Sequence, residues 1–419
     1  MAMNRSKRIH LTSPRRDGIM VFIYLVYAMI LDYSLWHVAR LFHYEGFVYM
    51  SAPDRTLISY GLVIILAYAT EKFLVDKISG LFCVGLFCMF VVPGIVYFMR
   101  SDTEYWHVIL LSGAYTWLLV FSTLINKIPI KINYANNMTI FYSIIFGITI
   151  LTYGFAIYYL GFKFNLDFSV VYEIRDHFLK SKNFLLGYLV IWQGNIINPL
   201  LFYYAVEKSR YLFAGVIIGF QFYLFSVTGL KTFFFSLVFS YLVARYSKSL
   251  KLFMPILFSI IVVLSCIIYL YQGSVWSLAI FVRRTLFTPA QITYYYFDFF
   301  QNNPLVYLSD SVLRYLFDYP YLLPSPLLIG IRYFDGQSAN TGIFGNAYMN
   351  FGALGVFLFV SLFSFILSVF DRIAESKEDK VSLIIASVAM TLISIINSGL
   401  LTVMLTHGMF LALVLAFFI

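Results

Sequence analysis

Four arginines lie in the aromatic-rich segment 272–351, where their side chains are suited to binding an anion: Arg283, Arg284, Arg314 and Arg332. A guanidinium group donates two parallel hydrogen bonds to the oxygens of one phosphate. Adjacent positions on a helix point about 100° apart, so one member of the 283–284 pair could hold a ligand while the other holds a carboxylate. The alternative for each arginine is a stem that lies on apolar surface and a charge that stays in water.

Lys231 and two aspartates extend this set of charged candidates. Lys231, in VTGLKT, is a candidate for a second phosphate contact or for a side chain that reaches water from an apolar turn. Asp298 and Asp310 are two of the few acidic residues in the same segment. Asp310 has a structural alternative, in which it caps a short helix near Ser311 and pairs with Arg314 four residues later.

Further polar residues stand inside strongly apolar sequence. The run IWQGNIINPL contains Gln193, Asn195 and Asn198, and amides in such a run tie helices together or line a cavity. His407 stands in LLTVMLTHGMF, and an ionisable residue in an apolar span points to function. Its two interpretations are a general base and a neutral contact between helices.

The composition identifies the elements that must position these residues. Of the 419 residues, 61% are hydrophobic and 12% are charged, and the mean hydropathy is +0.84. Apolar runs of about 17–25 residues recur along the chain, and each can cross a bilayer as a helix. The sequence predicts an all-α polytopic membrane protein with about twelve spans, at roughly 18–36, 56–70, 78–99, 106–126, 138–160, 184–206, 211–227, 232–246, 252–271, 352–370, 381–398 and 402–419.

The basic residues predict how these helices are oriented. With a cytoplasmic N-terminus, 17 of the 29 lysines and arginines lie in cytoplasmic segments, in agreement with the positive-inside rule for short loops. Both termini are then cytoplasmic, and residues 272–351 form one large loop on the outer face. The predicted divisions are a basic cytoplasmic tail (1–17), transmembrane helices one to nine (18–271), the outer loop (272–351) and the last three helices (352–419).

Composition and spacing also argue against several kinds of partner and site. The net charge of +9 follows largely from this orientation, and the basic tail is expected to contact anionic lipid headgroups rather than nucleic acid. The three cysteines, Cys83, Cys88 and Cys266, lie within predicted spans, which argues against a disulfide framework. No carboxylate cluster or His/Cys spacing indicates a metal site, and no cofactor is predicted.

Four stretches resemble the O-antigen and capsular polysaccharide repeat-unit polymerases, the Wzy-type family of bacterial membrane glycosyltransferases: VTGLKT (227–232), FVRRTLFTPAQITYYYFDFF (281–300), LSDS (308–311) and SANTGIFGNAYMNFGALGV (338–356). The resemblance implies a GT-C-like fold in the bacterial cytoplasmic (inner) membrane. It implies transfer of a growing chain from undecaprenyl pyrophosphate to a hydroxyl group of a new lipid-linked oligosaccharide repeat at the outer face. The reaction needs no metal, and a chain-length regulator protein is a partner that the resemblance allows.

The resemblance also assigns roles to the candidate residues. The pair 283–284 is expected to stabilise the leaving pyrophosphate, and Asp310, Asp298 or His407 to take the proton of the attacking hydroxyl group. The residues expected to bind donor and acceptor are Lys231, Arg314, Arg332, Tyr294, Asp298, Asn340, Asn346, Tyr348 and Asn350. For residues 340–356 the structural alternative is entry into a helix, with a cap at Asn340 or Thr341.

Two other functions are compatible with the same pattern. A transporter or flippase of lipid-linked oligosaccharides would also have about twelve spans, but it should show interrupted helices in corresponding halves and polar residues near the middle of the membrane. Only the predicted span 184–206 has that character. An O-antigen ligase, which would use related chemistry, is the second alternative.

Overall fold

A computed structural model describes residues 14–73, 77–128, 137–165, 170–181 and 183–419. The structure is 82% helix, with no strand in these ranges. The chain is an all-helical multi-pass membrane protein, as the sequence predicts. Most of the predicted basic tail (1–17) lies outside the described residues, and the first helix begins at Pro14.

The helices, in chain order, are α1 (Pro14–Leu41), α2 (Pro53–Phe73), α3 (Ile78–Arg100), α4 (Tyr105–Lys127), α5 (Met138–Leu160), α6 (Val171–Ser181), α7 (Phe184–Glu207), α8 (Tyr211–Thr228), α9 (Lys231–Arg245), α10 (Leu250–Gln272), α11 (275–301), α12 (Ser325–Tyr333), α13 (Ile343–Ser376), α14 (Val381–Asn397), α15 (Leu400–Leu405) and α16 (Met409–Phe418). Wider π-helical turns interrupt three of them, at Phe87–Val91 in α3, Gln193–Ile197 in α7 and Leu278–Phe287 in α11.

Ten helices in the described ranges are long and apolar enough to cross a membrane: α1 to α5, α7, α8, α10, α13 and α14. The predicted spans 232–246 and 402–419 differ from this set. The first is α9, which has 15 residues, whereas a perpendicular span needs about 20. The second is divided into α15 and α16, because Gly408 has a φ of 83° and interrupts the helix.

The two ends of the bundle are marked by charged contacts. At the Arg100 end, where α1 and α3 finish and α4 begins, Arg100 donates hydrogen bonds to Asp32 at 2.6 and 2.7 Å. At the Lys77 end, where α3 begins, Lys77 pairs with Glu375 near the end of α13. The positive-inside prediction assigns the Arg100 end to the outer face.

α3 forms the centre of the bundle. The apolar stretch of this helix is completely buried by the rest of the protein, so α3 does not face lipid. At the Lys77 end the buried Asp371 of α13 accepts hydrogen bonds from the backbone and hydroxyl of Ser79, at 2.9 and 2.6 Å, and from Asn126 at 3.0 Å. These bonds join α3, α4 and α13, and they satisfy a carboxylate that burial would otherwise destabilise.

Much of the predicted outer loop, 272–351, is helix packed into the bundle. α11 consists of Val275–Ser277, the π-helical turn Leu278–Phe287 and the α-helical part Thr288–Gln301, and many of its residues are buried. It contacts α10 through the hydrogen bond from Ser277 to the Ser265 carbonyl (3.1 Å) and α3 through the bond from Tyr294 to the Gly94 carbonyl (3.1 Å). Residues 302–324 are turns and extended chain, followed by α12.

α13 is bent sharply near its start. Phe351 and Gly352 have non-helical dihedral angles, and Gly352 has a φ of 62° and a ψ of −154°. The segment 343–350 therefore forms a short half-helix that precedes the long span. The Phe344 ring stacks on Phe90 near the middle of α3, at 5.4 Å, whereas Tyr348 packs near Trp106 at the Arg100 end, at 5.8 Å. The half-helix thus runs from the bundle interior towards the Arg100 end, and the chain then turns back.

Candidate substrate site

Arg283 forms an ion pair that joins α11 to the 3-10 turn His43–Glu45. Its guanidinium contacts the Glu45 carboxylate, and the two side chains are only 12% and 18% exposed. The same guanidinium lies 4.2 Å from the centroid of the Phe42 ring, whose face attracts a cation. Glu45 therefore neutralises Arg283 and fixes its position. Within the described chain, Nε of Arg283 has no hydrogen-bond partner.

Arg284 is exposed and differs from its neighbour in its contacts. It forms no ion pair or hydrogen bond with the residues that the structure describes. Both arginines stand in the π-helical turn of α11, a type of turn that often occurs at functional sites. One arginine of the pair thus holds a carboxylate, as the sequence predicts, while the binding of an anion by the other stays a prediction.

Lys231 lies beside the segment that carries these arginines. It begins α9, one turn before Phe235, and the Phe235 ring packs against Phe281 of α11 at 5.9 Å. The chain reaches this place through Gly229, which has a φ of 64° and approaches the Val171 carbonyl so closely that a side chain would collide with it. The tight turn between α8 and α9 therefore places the start of α9 next to the π-helical turn.

A continuous set of contacts runs from the ion pair to Asp298. Gln291 donates a hydrogen bond to the Glu45 carbonyl at 2.9 Å and another to the Tyr295 hydroxyl at 3.2 Å. The Tyr295 ring stacks on Tyr333 of α12 at 4.3 Å, and the Tyr333 hydroxyl donates to Asp298 at 2.7 Å. Burial and this carboxylate raise the pKa of Tyr333, so its hydroxyl stays protonated and keeps its hydrogen bond to Asp298.

The segment that contains Asp310 and Arg314 does not form the short helix that was one of its two predicted interpretations. Residues 307–316 are turns, so no helix begins near Ser311. Arg314 donates to the Tyr315 hydroxyl at 2.8 Å and forms no ion pair with Asp310 among the described residues. Desolvation, partly offset by a hydrogen bond from Ser311, raises the pKa of Asp310 above its ordinary value.

Two of the candidate asparagines hold these turns and the half-helix together. Asn350 is fully buried; its Oδ1 accepts a hydrogen bond from the Leu308 backbone at 2.6 Å, and its Nδ2 donates to the Asn346 carbonyl at 2.8 Å. Asn346 packs so closely against Gly399 that a side chain at position 399 would collide with its amide. Asn350 therefore acts first as a structural residue, and it positions the segment that carries Asp310.

His407 lies on the other side of the 398–399 turn from Asn346. It occupies the break between α15 and α16, and its Nε2 is 3.1 Å from the Ser398 hydroxyl. Since Gly399 contacts Asn346, His407 and the half-helix share one neighbourhood. The ring is only partly exposed, and its nitrogen is already engaged by a hydroxyl group of the protein.

The remaining candidates are divided between the core and the surface. Tyr294 is 2% exposed and Tyr348 is 7% exposed, so these rings support the packing of α11 and the half-helix. Arg332 and Asn340 are exposed. The structure thus arranges most candidates around α11: Arg283 pairs with Glu45, Lys231 lies one turn before the Phe235–Phe281 contact, and Asp298 pairs with Tyr333. Asn346 and Asn350 lie with Asp310 and His407.

Sequence reasoning missed Glu45 and His107. Glu45 is an acidic residue in a short predicted outer connection. An acidic residue on the same face as the arginines is a signal for an ion-pair partner. His107 is 3% exposed, lies against the Tyr294 ring at 5.7 Å, and has no hydrogen-bond partner on either ring nitrogen among the described residues. Nothing in the sequence around it, YWHVILL, distinguishes it from other residues of an apolar span.

A second feature lies at the Lys77 end, far from α11. A cavity of about 1310 Å³ opens between α5, α7, α8 and the start of α14. Gln193 and Asn198 line its inner part, and Gln193 donates to Asn198 at 2.8 Å while Asn198 donates to Gln221 of α8 at 2.6 Å. The polar cluster predicted in span 184–206 therefore does both things considered for it: it ties helices together and lines a cavity.

No group of three potential metal ligands occurs within the described ranges. No protein-family model matches the chain, and no curated protein or solved structure shows significant similarity to it.

Proposed function

We propose that the chain is a membrane glycosyltransferase of the bacterial cytoplasmic membrane that polymerises oligosaccharide repeat units, of O-antigen or capsule, carried on undecaprenyl pyrophosphate. The Arg100 end would be the outer face and would receive both the lipid-linked donor and the lipid-linked acceptor. The observation that carries the proposal is the arginine pair of α11. Glu45 holds Arg283 in place, whereas Arg284 is exposed and forms no ion pair with the described residues.

The chemistry follows from the leaving group. An acceptor hydroxyl oxygen bonds to the anomeric carbon of the donor sugar, the carbon–oxygen bond to the pyrophosphate breaks, and the pyrophosphate leaves with the electron pair. Negative charge therefore increases on the phosphate oxygens in the transition state. An arginine that donates hydrogen bonds to those oxygens stabilises that charge, and losing such a donor lowers turnover about 10²–10³-fold. Arg284 would supply this charge, and Nε of Arg283 a further donor.

The proton of the acceptor hydroxyl group needs a base, and Asp310 suits this role best. Asp298 already accepts a hydrogen bond from Tyr333, and His407 is engaged by Ser398. Asp310 forms no ion pair with the described residues, and its raised pKa makes it a stronger proton acceptor than an ordinary carboxylate. Asn350 would orient it through the backbone of the 306–309 segment.

One observation favours a transporter of lipid-linked oligosaccharides as a second candidate. The cavity at the Lys77 end reaches the π-helical turn of α7, so an interrupted helix and amide side chains border an opening from the opposite end of the bundle. Transporters place binding sites at such interruptions. A transporter would move the lipid-linked repeat across the vesicle membrane without extending it. One assay that follows both transport and chain length therefore separates the two candidates.

The test uses the full-length protein in liposomes with lipid-linked repeat units and follows a ladder of longer chains. Arg284→Ala should lower the rate of ladder formation by about 10²–10³-fold, because the transition-state charge loses its partner. Arg284→Lys should restore only part of it, since a point charge cannot form two parallel hydrogen bonds to phosphate.

The matched control is Arg40→Ala. Arg40 is also an exposed arginine near the Arg100 end, but its guanidinium lies over the Trp36 ring of its own helix, at 4.7 Å. Its variant should polymerise at the wild-type rate. If Arg284→Ala gives a full ladder at equal protein level, Arg284 does not bind the phosphate. If wild type gives no ladder but transports the repeat, the transporter is favoured.

A further inference from the structure

The cavity at the Lys77 end is large and mainly apolar. Its volume of about 1310 Å³ exceeds the roughly 300–1,000 Å³ that accommodates a drug-sized ligand. Its walls are chiefly aromatic and aliphatic, and they include Phe146 of α5, Leu201 and Tyr204 of α7, and Phe213 and Phe220 of α8. An occupant must therefore offer a long apolar surface to these walls.

The inner part of the cavity does not require a polar occupant. Gln193 receives a hydrogen bond from Thr149 at 3.2 Å, and Asn198 donates to Tyr153 at 3.0 Å in addition to its bonds with the two glutamines. These amides therefore satisfy one another and leave little hydrogen-bonding capacity for a sugar. A hydrocarbon chain can end against such a network without breaking any bond in it.

The depth of the cavity corresponds to one leaflet of a bilayer. Its lining on α5 extends from Met138 at the Lys77 end to Thr149, a length of about 16 Å at roughly 1.5 Å per residue. Half of a hydrocarbon core of about 30 Å is about 15 Å. A lipid tail that enters from the Lys77 end would therefore reach the amide network and stop there.

The rim of the cavity carries basic side chains at the level of a headgroup. Lys208 and Arg210 follow α7 and are exposed, while the nearby Glu207 lies 3.9 Å from Arg245. Lys380 donates to the Ile419 carbonyl at 2.7 Å, and Asp379 is the other acidic residue on the rim. With Glu207 beside an arginine, the Lys208–Arg210 side of the rim is positive, and basic pockets between membrane helices bind anionic lipid headgroups.

We propose that this cavity is a binding site for an anionic phospholipid of the leaflet at the Lys77 end. One acyl chain lies between α5, α7 and α8 and ends at Gln193 and Asn198, and the phosphate lies at Lys208 and Arg210. The site is separate from the arginines of α11. The proposal does not depend on glycosyl transfer, so a lipid titration and a polymerisation assay fail independently.

Native mass spectrometry of the full-length, delipidated protein in detergent tests the proposal, with phosphatidylglycerol and phosphatidylcholine of identical acyl chains as probes. Wild type should bind the first lipid about five- to 30-fold more tightly, as expected for one or two basic residues close to an anionic headgroup. In the Lys208→Gln, Arg210→Gln double variant the ratio of the two affinities should fall to near one. Leu201→Trp, which fills the apolar part, should weaken the binding of both lipids.

Lys248→Gln is the matched control, because Lys248 is an exposed lysine between α9 and α10 that does not line the cavity. It should keep the wild-type preference. Equal binding of the two lipids by wild type would overturn the proposal, as would a preference that survives the double variant. If the double variant aggregates, the two single variants decide between the same outcomes.

Discussion

Replacing Glu45 tests how much the ion pair that fixes Arg283 contributes to stability and to activity. Glu45→Gln keeps the size of the side chain but leaves the guanidinium of Arg283 without its carboxylate, against the Phe42 ring. Breaking a fully buried ion pair in this way costs about 3–5 kcal/mol, and the partial exposure of both side chains places this one at or below the lower limit. We expect a lower thermal midpoint in detergent and slower polymerisation.

Glu104→Gln serves as the comparison for that variant. Glu104 is an exposed carboxylate near the same end of the bundle, where it accepts a hydrogen bond from the Trp106 indole at 2.6 Å. Neutralising it should change the midpoint much less, because an exposed hydrogen-bonded carboxylate contributes little to stability. Similar shifts in the two variants would mean that the contact between Arg283 and Glu45 does not stabilise the fold.

At the scale of the element, the bend in α13 depends on one glycine. Gly352 has a φ of 62° and a ψ of −154°, a combination that residues with a side chain adopt only under strain. The nearest atom to an added methyl group would be Leu305 Cδ1 at 3.9 Å, so space is available and only backbone strain opposes the change. Gly352→Ala should therefore lower the free energy of unfolding by about 1–3 kcal/mol.

Gly61→Ala isolates the effect of that backbone conformation. Gly61 lies within α2 and has no neighbour within 4 Å of an added methyl group, so alanine should be neutral or stabilising there. Thermal unfolding of both variants gives the comparison. Equal stability of Gly352→Ala and wild type would show that the bend does not depend on this glycine.

The elements around α11 show where sequence reasoning reached its limit. The composition of 272–351 correctly predicted a folded segment, because so aromatic a stretch must pack. It did not predict a helix within the bundle, since Arg283 and Gln291 resemble surface residues until their partners are known. Those partners include Glu45, more than 200 positions earlier in the chain, and no local pattern encodes such a contact.

At the scale of the whole molecule, the prediction concerns orientation. Asn302 and Ser376 are both exposed, the first after α11 and the second at the Lys77 end of α13. With a cytoplasmic N-terminus, Asn302→Cys should react with an impermeant thiol reagent in intact cells, and Ser376→Cys only after permeabilisation. The three native cysteines are free and buried, so background labelling should be low. Labelling of position 376 alone in intact cells would reverse the orientation.

The helical bundle was largely predictable because lipid imposes one requirement, about 20 apolar residues for each span. The exceptions have local physical causes. Gly408 interrupts the last predicted span with a φ of 83°, and α9 finishes after 15 residues at Arg245. The cavity could not be predicted, since Gln193 and Asn198 indicate polar contacts in a membrane but not the space that α5, α7, α8 and α14 leave open.

The complete burial of α3 has a consequence for the order in which the protein is made. Residue 371, which accepts three hydrogen bonds from α3 and α4, leaves the ribosome long after Arg100, the last residue of α3. At about 5–20 residues per second, the interval is roughly 14–54 s. During that time α3 contacts lipid or a membrane chaperone on the surface that α13 and α14 cover in the finished bundle. Nascent chains that stop before residue 371 should therefore be the ones that cellular proteases remove fastest.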